Sequence, residues 1–160
     1  SFSKLLGPGL RIAYVIAGKD IIAYMNSWSQ KINVTTERIA QKAVTRYLNS
    51  NLLPAHIEKI VDLYKPLRDK MISMLYSCMP ENISWTKPDG GMFIWIDLPE
   101  GENSDLLFEK ALEKKAAYIP GSKFYPTGHE RYNGLRLNFS YPTAVQIEVG
   151  IHRLAEVFTV

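Results

Sequence analysis

The sequence predicts an α/β fold, and two patterns of apolar residues support this class. Apolar runs rich in β-branched and aromatic residues have the length of strands and occupy residues 11–17, 92–98 and 134–142. Between and after these runs, apolar side chains recur at the spacing of one helix face. The chain therefore alternates between the two periodicities that distinguish strands from helices.

The composition is that of a globular protein. The chain has 160 residues, of which 46% are hydrophobic and 22% charged, and this length suits one ordinary domain. No apolar stretch approaches the roughly 18 residues that span a membrane, and no secretory signal is visible. The net charge of +3 is too small to indicate nucleic acid. Cys78 is the single cysteine, and we expect it to be a small buried hydrophobic residue. Because one cysteine cannot form an internal disulfide, we expect a protein of the reducing cytoplasm.

The first third of the chain is predicted to hold one strand and two helices. Gly18 ends the strand of residues 11–17. A helix then begins near Asp20, because aspartate is a favourable N-cap residue. For the second helix, either Thr35 or Thr36 can supply the cap.

A long helix is predicted from Pro54 to about Met79. Proline suits the first helical turn, where its missing N–H would have no partner. Pro66 lies within the same apolar stripe and predicts a kink. Pro80 then stops the helix.

The remaining residues predict a small α+β region. Short strands are expected at residues 83–86, 92–98, 116–119 and 134–142. Asn103 or Ser104 caps one helix and Thr143 caps the last. Six residues are expected to form the core face of the last helix: Val145, Ile147, Val149, Ile151, Leu154 and Val157.

The first fourteen residues, SFSKLLGPGLRIAY, carry the densest set of reactive groups. Lys4 lies between the hydroxyls of Ser1 and Ser3, and Arg11 follows a Gly-Pro-Gly turn. A lysine forms Schiff bases with aldehydes, whereas hydroxyls and a guanidinium bind phosphate. Each feature alone is typical of a solvated loop. Together they fit a cofactor that carries both an aldehyde and a phosphate.

This segment resembles the lysine signature of fold-type I pyridoxal-phosphate aminotransferases, SxSKxxxxGLRI followed by an aromatic residue. The spacing is closest to the kynurenine/2-aminoadipate aminotransferase branch. The resemblance implies the C-terminal portion of the aspartate aminotransferase-like fold and pyridoxal 5'-phosphate as cofactor. It also implies that Lys4 forms the Schiff base, while Ser1, Ser3 and Arg11 surround the phosphate. Ala13 departs from the family pattern, which usually has glycine there.

A second segment, GLRLNFSYP, carries the substrate candidate. Leu135 and Leu137 alternate with Arg136, which alone would be a surface charge. The resemblance implies that Arg136 binds the substrate α-carboxylate, a task that suits the guanidinium fork. No metal site is predicted, because the adjacent His129 and Glu130 lack the spacing of metal ligands.

The resemblance covers essentially the whole chain but only the C-terminal part of the family. The family's glycine-rich phosphate loop, ring-stacking aromatic and pyridine-binding aspartate all precede the lysine. We therefore expect a fragment that is inactive alone. Residues 1–50 would complete the large cofactor domain, residues 51–79 would form a connecting helix, and residues 80–160 would form the small domain.

The leading functional hypothesis is an aminotransferase that moves an amino group between an amino acid and a 2-oxo acid. The resemblance further implies a homodimer, and the amino donor stays open. Two alternatives share the lysine signature: the effector-sensing domain of a MocR-type transcription regulator, and another pyridoxal-phosphate lyase on this fold. A non-catalytic scaffold is disfavoured by the joint presence of Lys4, Arg11 and Arg136.

Overall fold

The computed structural model describes residues 1–32 and 37–158. The chain divides into two compact units, Ser1–Ile60 and Val61–Val160. Within the described residues, no helix is both long enough and apolar enough to cross a membrane.

The first unit is helical. After a 3₁₀ turn at Pro8–Leu10, it contains α1 (Lys19–Ile32), α2 (Arg38–Asn49) and the start of α3 (Leu53–Cys78). The prediction of a long helix after residue 53 is confirmed, with Pro54 in its first turn and Pro66 inside it.

The strand predicted at residues 11–17 is wrong, because this segment has no regular secondary structure. A strand needs a hydrogen-bonded neighbour along its length. Among the described residues, the segment's one long-range backbone bond runs from the amide of Phe2 to the carbonyl of Ile12, at 3.0 Å. Beyond Ile12, the side chains of Tyr14 and Ile16 are mostly exposed.

Two helix starts differ from the predictions. The first helix begins at Lys19, so Asp20 is not its N-cap but lies in its first turn, where a negative charge suits the helix dipole. The second helix is capped by Glu37, whose carboxylate accepts hydrogen bonds from the amides of Ile39 and Ala40. The predicted caps Thr35 and Thr36 lie outside the described residues.

The second unit is built on a four-stranded antiparallel sheet. Its strands are β1 (Ser84–Trp85), β2 (Phe93–Asp97), β3 (Ile119–Pro120) and β4 (Gly134–Asn138), in the order β1-β2-β4-β3. The third strand is predicted at residues 116–119. It begins further along the chain, at Ile119, because only Ile119 and Pro120 pair with a neighbouring strand, β4. In this register Arg136 lies opposite Trp95 on one side and Ile119 on the other.

The alternation predicted for the two central strands is confirmed. Ile94 and Ile96 of β2 and Leu135 and Leu137 of β4 are buried in one core cluster. This cluster also includes residues of α3, α4 (Ser104–Glu113) and α5 (Ala144–Phe158). The opposite face of the sheet is only partly buried, and it carries Arg136.

The helix caps in this unit also follow the predictions. Asn103 caps α4 by accepting from the amides of Asp105 and Leu106. Thr143 and Gln146 form a capping box at the start of α5, because each side chain accepts a hydrogen bond from the other's amide.

The core face of α5 was predicted too broadly. Ile147, Ile151, Leu154 and Val157 are buried as expected, but Val145 and Val149 are 71% and 40% exposed. Each of these valines precedes a buried isoleucine by two residues, which is about 200° around a helix. They therefore point away from the buried stripe.

Candidate active site

A tight turn presents Lys4. The carbonyl of Phe2 accepts hydrogen bonds from the amides of Leu5 and Leu6, at 3.1 and 2.8 Å. The amide of Phe2 donates to the carbonyl of Ile12 at 3.0 Å, which brings the first residues alongside the segment that follows Arg11. Lys4 lies within this turn, and its side chain is exposed to solvent.

The two serine hydroxyls beside Lys4 converge. The hydroxyl of Ser1 donates to the hydroxyl of Ser3 at 3.1 Å, and the amide of Ser3 donates to the Ser1 hydroxyl at 3.2 Å. Both hydroxyls can rotate to donate to a nearby anion. The pair therefore forms a small polar surface next to the lysine.

Arg11 ends the 3₁₀ turn with a left-handed backbone, at φ 52°. Its Nη1 lies 3.5 Å from the carbonyl of Pro8, and its side chain is exposed. Among the described residues, no carboxylate pairs with Arg11 or with Lys4. The group formed by Lys4, Arg11 and the two serines is thus cationic and rich in donors, which suits a bound anion.

His56, on α3, contacts the turn that carries Lys4. Its ring Nε2 lies 2.7 Å from the carbonyl of Leu5, so the protonated Nε2 donates to that oxygen. The Tyr47 ring meets the imidazole edge-on, with centroids 6.3 Å apart. Sequence reasoning missed His56, because the contact joins residues 51 positions apart and no local pattern indicates it.

Arg136 packs against two aromatic rings in the second unit. Its guanidinium carbon is 3.9 Å from the centroid of Phe93 and 4.6 Å from that of Phe124. Stacking of this kind favours a cation over a ring face and restrains the guanidinium plane. Within the part of the chain that the structure describes, no carboxylate pairs with Arg136. Its fork therefore keeps its hydrogen-bond donors for another acceptor.

Two more aromatic residues, Trp95 and Tyr125, belong to this group of rings. The Trp95 ring lies 5.5 Å from Phe124 and 6.5 Å from Tyr125, and its indole N–H donates to Asp97 at 2.9 Å. Strand alternation predicts Phe93 and Trp95 on one face of β2, and the pairing of β2 with β4 puts Arg136 on that face. Phe124 was missed as an Arg136 partner, because it belongs to a 3₁₀ turn, Gly121–Phe124, whose position depends on tertiary contacts.

Two glycines allow this 3₁₀ turn to approach the sheet. A Cβ at Gly121 would lie 2.5 Å from the carbonyl oxygen of Gly134, and a Cβ at Gly134 would lie 2.4 Å from the Trp95 ring. Neither position has room for a side chain. The loop after β3 consequently packs directly on β4, two residues before Arg136.

The other polar residues considered from sequence do not form a site. The described residues contain no group of three or more potential metal ligands. The Glu130 carboxylate accepts the amide of Gly128 at 2.9 Å, and backbone hydrogen bonds lower the pKa of this exposed glutamate. Cys78 was expected to be buried but is only half-buried, since its Sγ reaches the surface beside His152 Nδ1, at 3.5 Å.

Most of the chain matches a known protein family. The model of the family described as aminotransferase class I and II matches residues 1–154. The chain therefore belongs to the class I and II aminotransferase family.

Two curated aminotransferases are similar to this chain. The chain is 41% identical to aromatic-amino-acid aminotransferase 1 of Thermococcus litoralis, covering 98% of this chain and 37% of the relative. It is 32% identical to 2-aminoadipate transaminase of Thermus thermophilus, over 96% of this chain and 38% of the relative. The chain thus spans well under half the length of these curated relatives.

Solved structures agree with this assignment. Kynurenine aminotransferase of Pyrococcus horikoshii, solved in complex with PMP, matches 99% of this chain with a TM-score of 0.91 and 42% identity. The match covers 39% of that structure's chain.

At lower identity, 28%, the chain also resembles the sequence of an uncharacterised HTH-type transcriptional regulator of Bacillus subtilis, of which it covers 31%.

Proposed function

We propose that this protein is an aminotransferase that moves an amino group between an amino acid and a 2-oxo acid, with pyridoxal 5'-phosphate as cofactor. The observation that carries the proposal is the N-terminal turn, where exposed Lys4 lies beside two converging serine hydroxyls. Identity to enzymes, up to 42%, exceeds the 28% identity to the regulator and favours catalysis over effector sensing.

The residues of the turn fit the cofactor. Phosphate is an anion that accepts several hydrogen bonds, and Ser1, Ser3 and Arg11 supply hydroxyl and guanidinium donors with no described carboxylate to repel it. Lys4 supplies the amine that binds the cofactor aldehyde. When bound, pyridoxal phosphate provides an electron sink for charge that develops at the substrate α-carbon.

Lys4 then has a second role as a base. With cofactor and substrate bound, Nζ of Lys4 would take the proton from the substrate α-carbon and would give a proton back to complete the amino transfer. An exposed, unpaired lysine on a turn can change position between these tasks. Its substitution should therefore abolish both attachment and proton transfer.

Arg136 is proposed to bind the substrate α-carboxylate. Its guanidinium lies over the rings of Phe93 and Phe124, and among the described residues no carboxylate pairs with it. A carboxylate that meets the fork in its plane accepts two parallel hydrogen bonds. Both rings lie close to the guanidinium carbon and reduce its contact with water, which strengthens the attraction.

The domain organisation is part of the proposal. Residues 1–50 complete a large cofactor domain, residues 51–79 form the connecting helix, and residues 80–160 form the small domain. The long helix α3 and the separate sheet of the second unit support this division. We further propose a homodimer that works in the cytoplasm on amino acids and 2-oxo acids.

The test of the proposed function is the attachment site of the cofactor. In the intact protein, borohydride reduction followed by peptide mapping should place the reduced cofactor on Lys4. Lys4→Ala should carry no adduct and should be inactive, whereas Lys19→Ala, another exposed lysine of the same unit, should behave as wild type. An adduct on a different lysine of the wild type would contradict the proposal.

A further inference from the structure

The 3₁₀ turn that carries Phe124 is held by the first turn of α4. The Asp105 carboxylate accepts a hydrogen bond from the Ser122 hydroxyl at 2.9 Å, and the same oxygen lies 3.6 Å from Nζ of Lys123. We call the Asp105–Ser122 pair the clamp. A carboxylate in the first turn of a helix is stabilised by the helix dipole, so its charge is well placed there.

The start of the same turn is held separately. The amide of Gly121 donates to the fully buried Ser104 hydroxyl at 3.4 Å, and the carbonyl of Ser104 accepts from Tyr118 at 2.7 Å. Burial raises the pKa of Tyr118, and the nearby Asp105 carboxylate raises it further, so the tyrosine stays a donor. These hydrogen bonds hold the start of the turn at Gly121, and the clamp holds the next residue, Ser122.

Phe124 depends on this anchoring. Its side chain is 43% exposed, so burial alone does not hold the ring in place. Yet the ring centroid lies 4.6 Å from the Arg136 guanidinium and 5.5 Å from the Trp95 ring. Two residues before it, the clamp is the polar contact nearest to Phe124 at hydrogen-bond distance that joins this turn to α4.

We propose that Asp105 and Ser122 are positioning residues for the carboxylate-binding fork of Arg136, and that they act through the Phe124 ring. This inference rests on the proposed function, since it takes Arg136 to be the carboxylate-binding group. Without the clamp, the turn that holds Phe124 loosens, and Arg136 loses its contact with one of the two rings. The guanidinium then samples other rotamers, and carboxylate binding weakens while the chemistry of the bound substrate is unchanged.

The central experiment compares Ser122→Ala with wild type in the intact, cofactor-loaded enzyme. We expect KM for an amino acid donor to rise about three- to tenfold, the range of one modest hydrogen bond, with kcat within about twofold. The inhibition constant of 4-methylpentanoate, a carboxylate without an amine, should rise by the same factor. Affinity for the cofactor, followed by its absorbance, should not change.

Further variants separate the clamp from general destabilisation. Ser122→Thr keeps a hydroxyl and should restore most of the wild-type KM. Ser77→Ala is a matched control, because its hydroxyl bonds only to the Ser73 carbonyl of its own helix, at 3.0 Å, and it should behave as wild type. Asp105→Ala should raise KM at least as much as Ser122→Ala, because it also removes the Lys123 ion pair, and the double variant should match Asp105→Ala.

The outcomes are distinguishable. Wild-type KM and inhibition constant in both single variants would overturn the inference, and so would parallel losses of kcat and cofactor affinity, which would indicate a purely structural role. Arg136→Ala is measured alongside. If Arg136→Ala raises the inhibition constant of 4-methylpentanoate and Ser122→Ala does not, only the positioning role of the clamp is rejected. If Arg136→Ala does not change this constant, the carboxylate-binding role of Arg136 is rejected as well.

Discussion

The guanidinium carbon of Arg136 lies 3.9 Å from the centroid of the Phe93 ring, which belongs to the neighbouring strand. Antiparallel pairing places Arg136 directly opposite Trp95, so Phe93 is its diagonal neighbour on the same face. A cation at this distance from a ring face is both attracted to it and restrained by it. The sheet register thus prepares a fork for a planar, bidentate ligand.

Arg136 should govern the recognition of carboxylates. In the intact enzyme, Arg136→Ala should cost roughly 2–5 kcal/mol in kcat/KM for amino acids, because a desolvated, charge-assisted pair is lost. Arg136→Lys keeps the charge but not the planar fork, so it should recover only part of this loss. The measurement compares an amino acid donor with an amine that lacks the α-carboxylate. An equal loss for both would show that Arg136 is structural.

Gly134→Ala should destabilise the second unit. The new Cβ would lie 2.4 Å from the Trp95 ring, so the strand or the indole must shift, and overpacking of this kind costs about 1–3 kcal/mol. Gly150→Ala is the matched control, because no heavy atom outside its own helix turn lies within 4 Å of its Cβ. It should leave stability unchanged or raise it by about 0.5–1 kcal/mol.

Thermal unfolding of the intact protein checks these two glycine variants. The expected order of the midpoint Tm is Gly134→Ala below wild type and Gly150→Ala at or above it. If Gly134→Ala unfolded at the wild-type temperature, the close approach between β4 and Trp95 would not be a constraint on the fold.

His56 should influence the cofactor through the Leu5 carbonyl. His56→Ala removes the donor at 2.7 Å and frees the turn that carries Lys4. We expect about three- to tenfold weaker cofactor binding, the effect of one lost hydrogen bond, and an unchanged inhibition constant for 4-methylpentanoate. His56→Gln, which keeps a donor, should be milder, and His129→Ala, on an exposed loop, should be neutral. Unchanged cofactor affinity in His56→Ala would remove His56 from this role.

The 160 residues alone should neither bind pyridoxal phosphate stoichiometrically nor transaminate. Lys4 and Arg11 are exposed, and water screens charged contacts at such positions. Several large apolar side chains of the first unit, such as Ile21 and Trp28, are also about half exposed. Absorbance titration of the isolated chain is the measurement, and a specific adduct at micromolar cofactor would contradict this expectation.

The sequence by itself determined the elements that depend on local patterns. Helix α3, the Thr143 cap and the inward alternation of Leu135 and Leu137 follow from spacing and capping chemistry, which neighbouring residues specify. The candidate residues Lys4, Ser1, Ser3, Arg11 and Arg136 were also identified at this level, from short motifs. Their assigned roles stay predictions until the variants are measured.

Only the tertiary structure decided which side chains meet. The segment 11–17 has strand composition but is not a strand, because a ladder needs a partner strand that composition does not supply. The His56–Leu5 contact joins residues 51 positions apart. Phe124 reaches Arg136 because Gly121 of the 3₁₀ turn packs directly on Gly134 of β4. Such contacts depend on packing between elements, and packing follows from the three-dimensional arrangement of the whole unit rather than from any local run of residues.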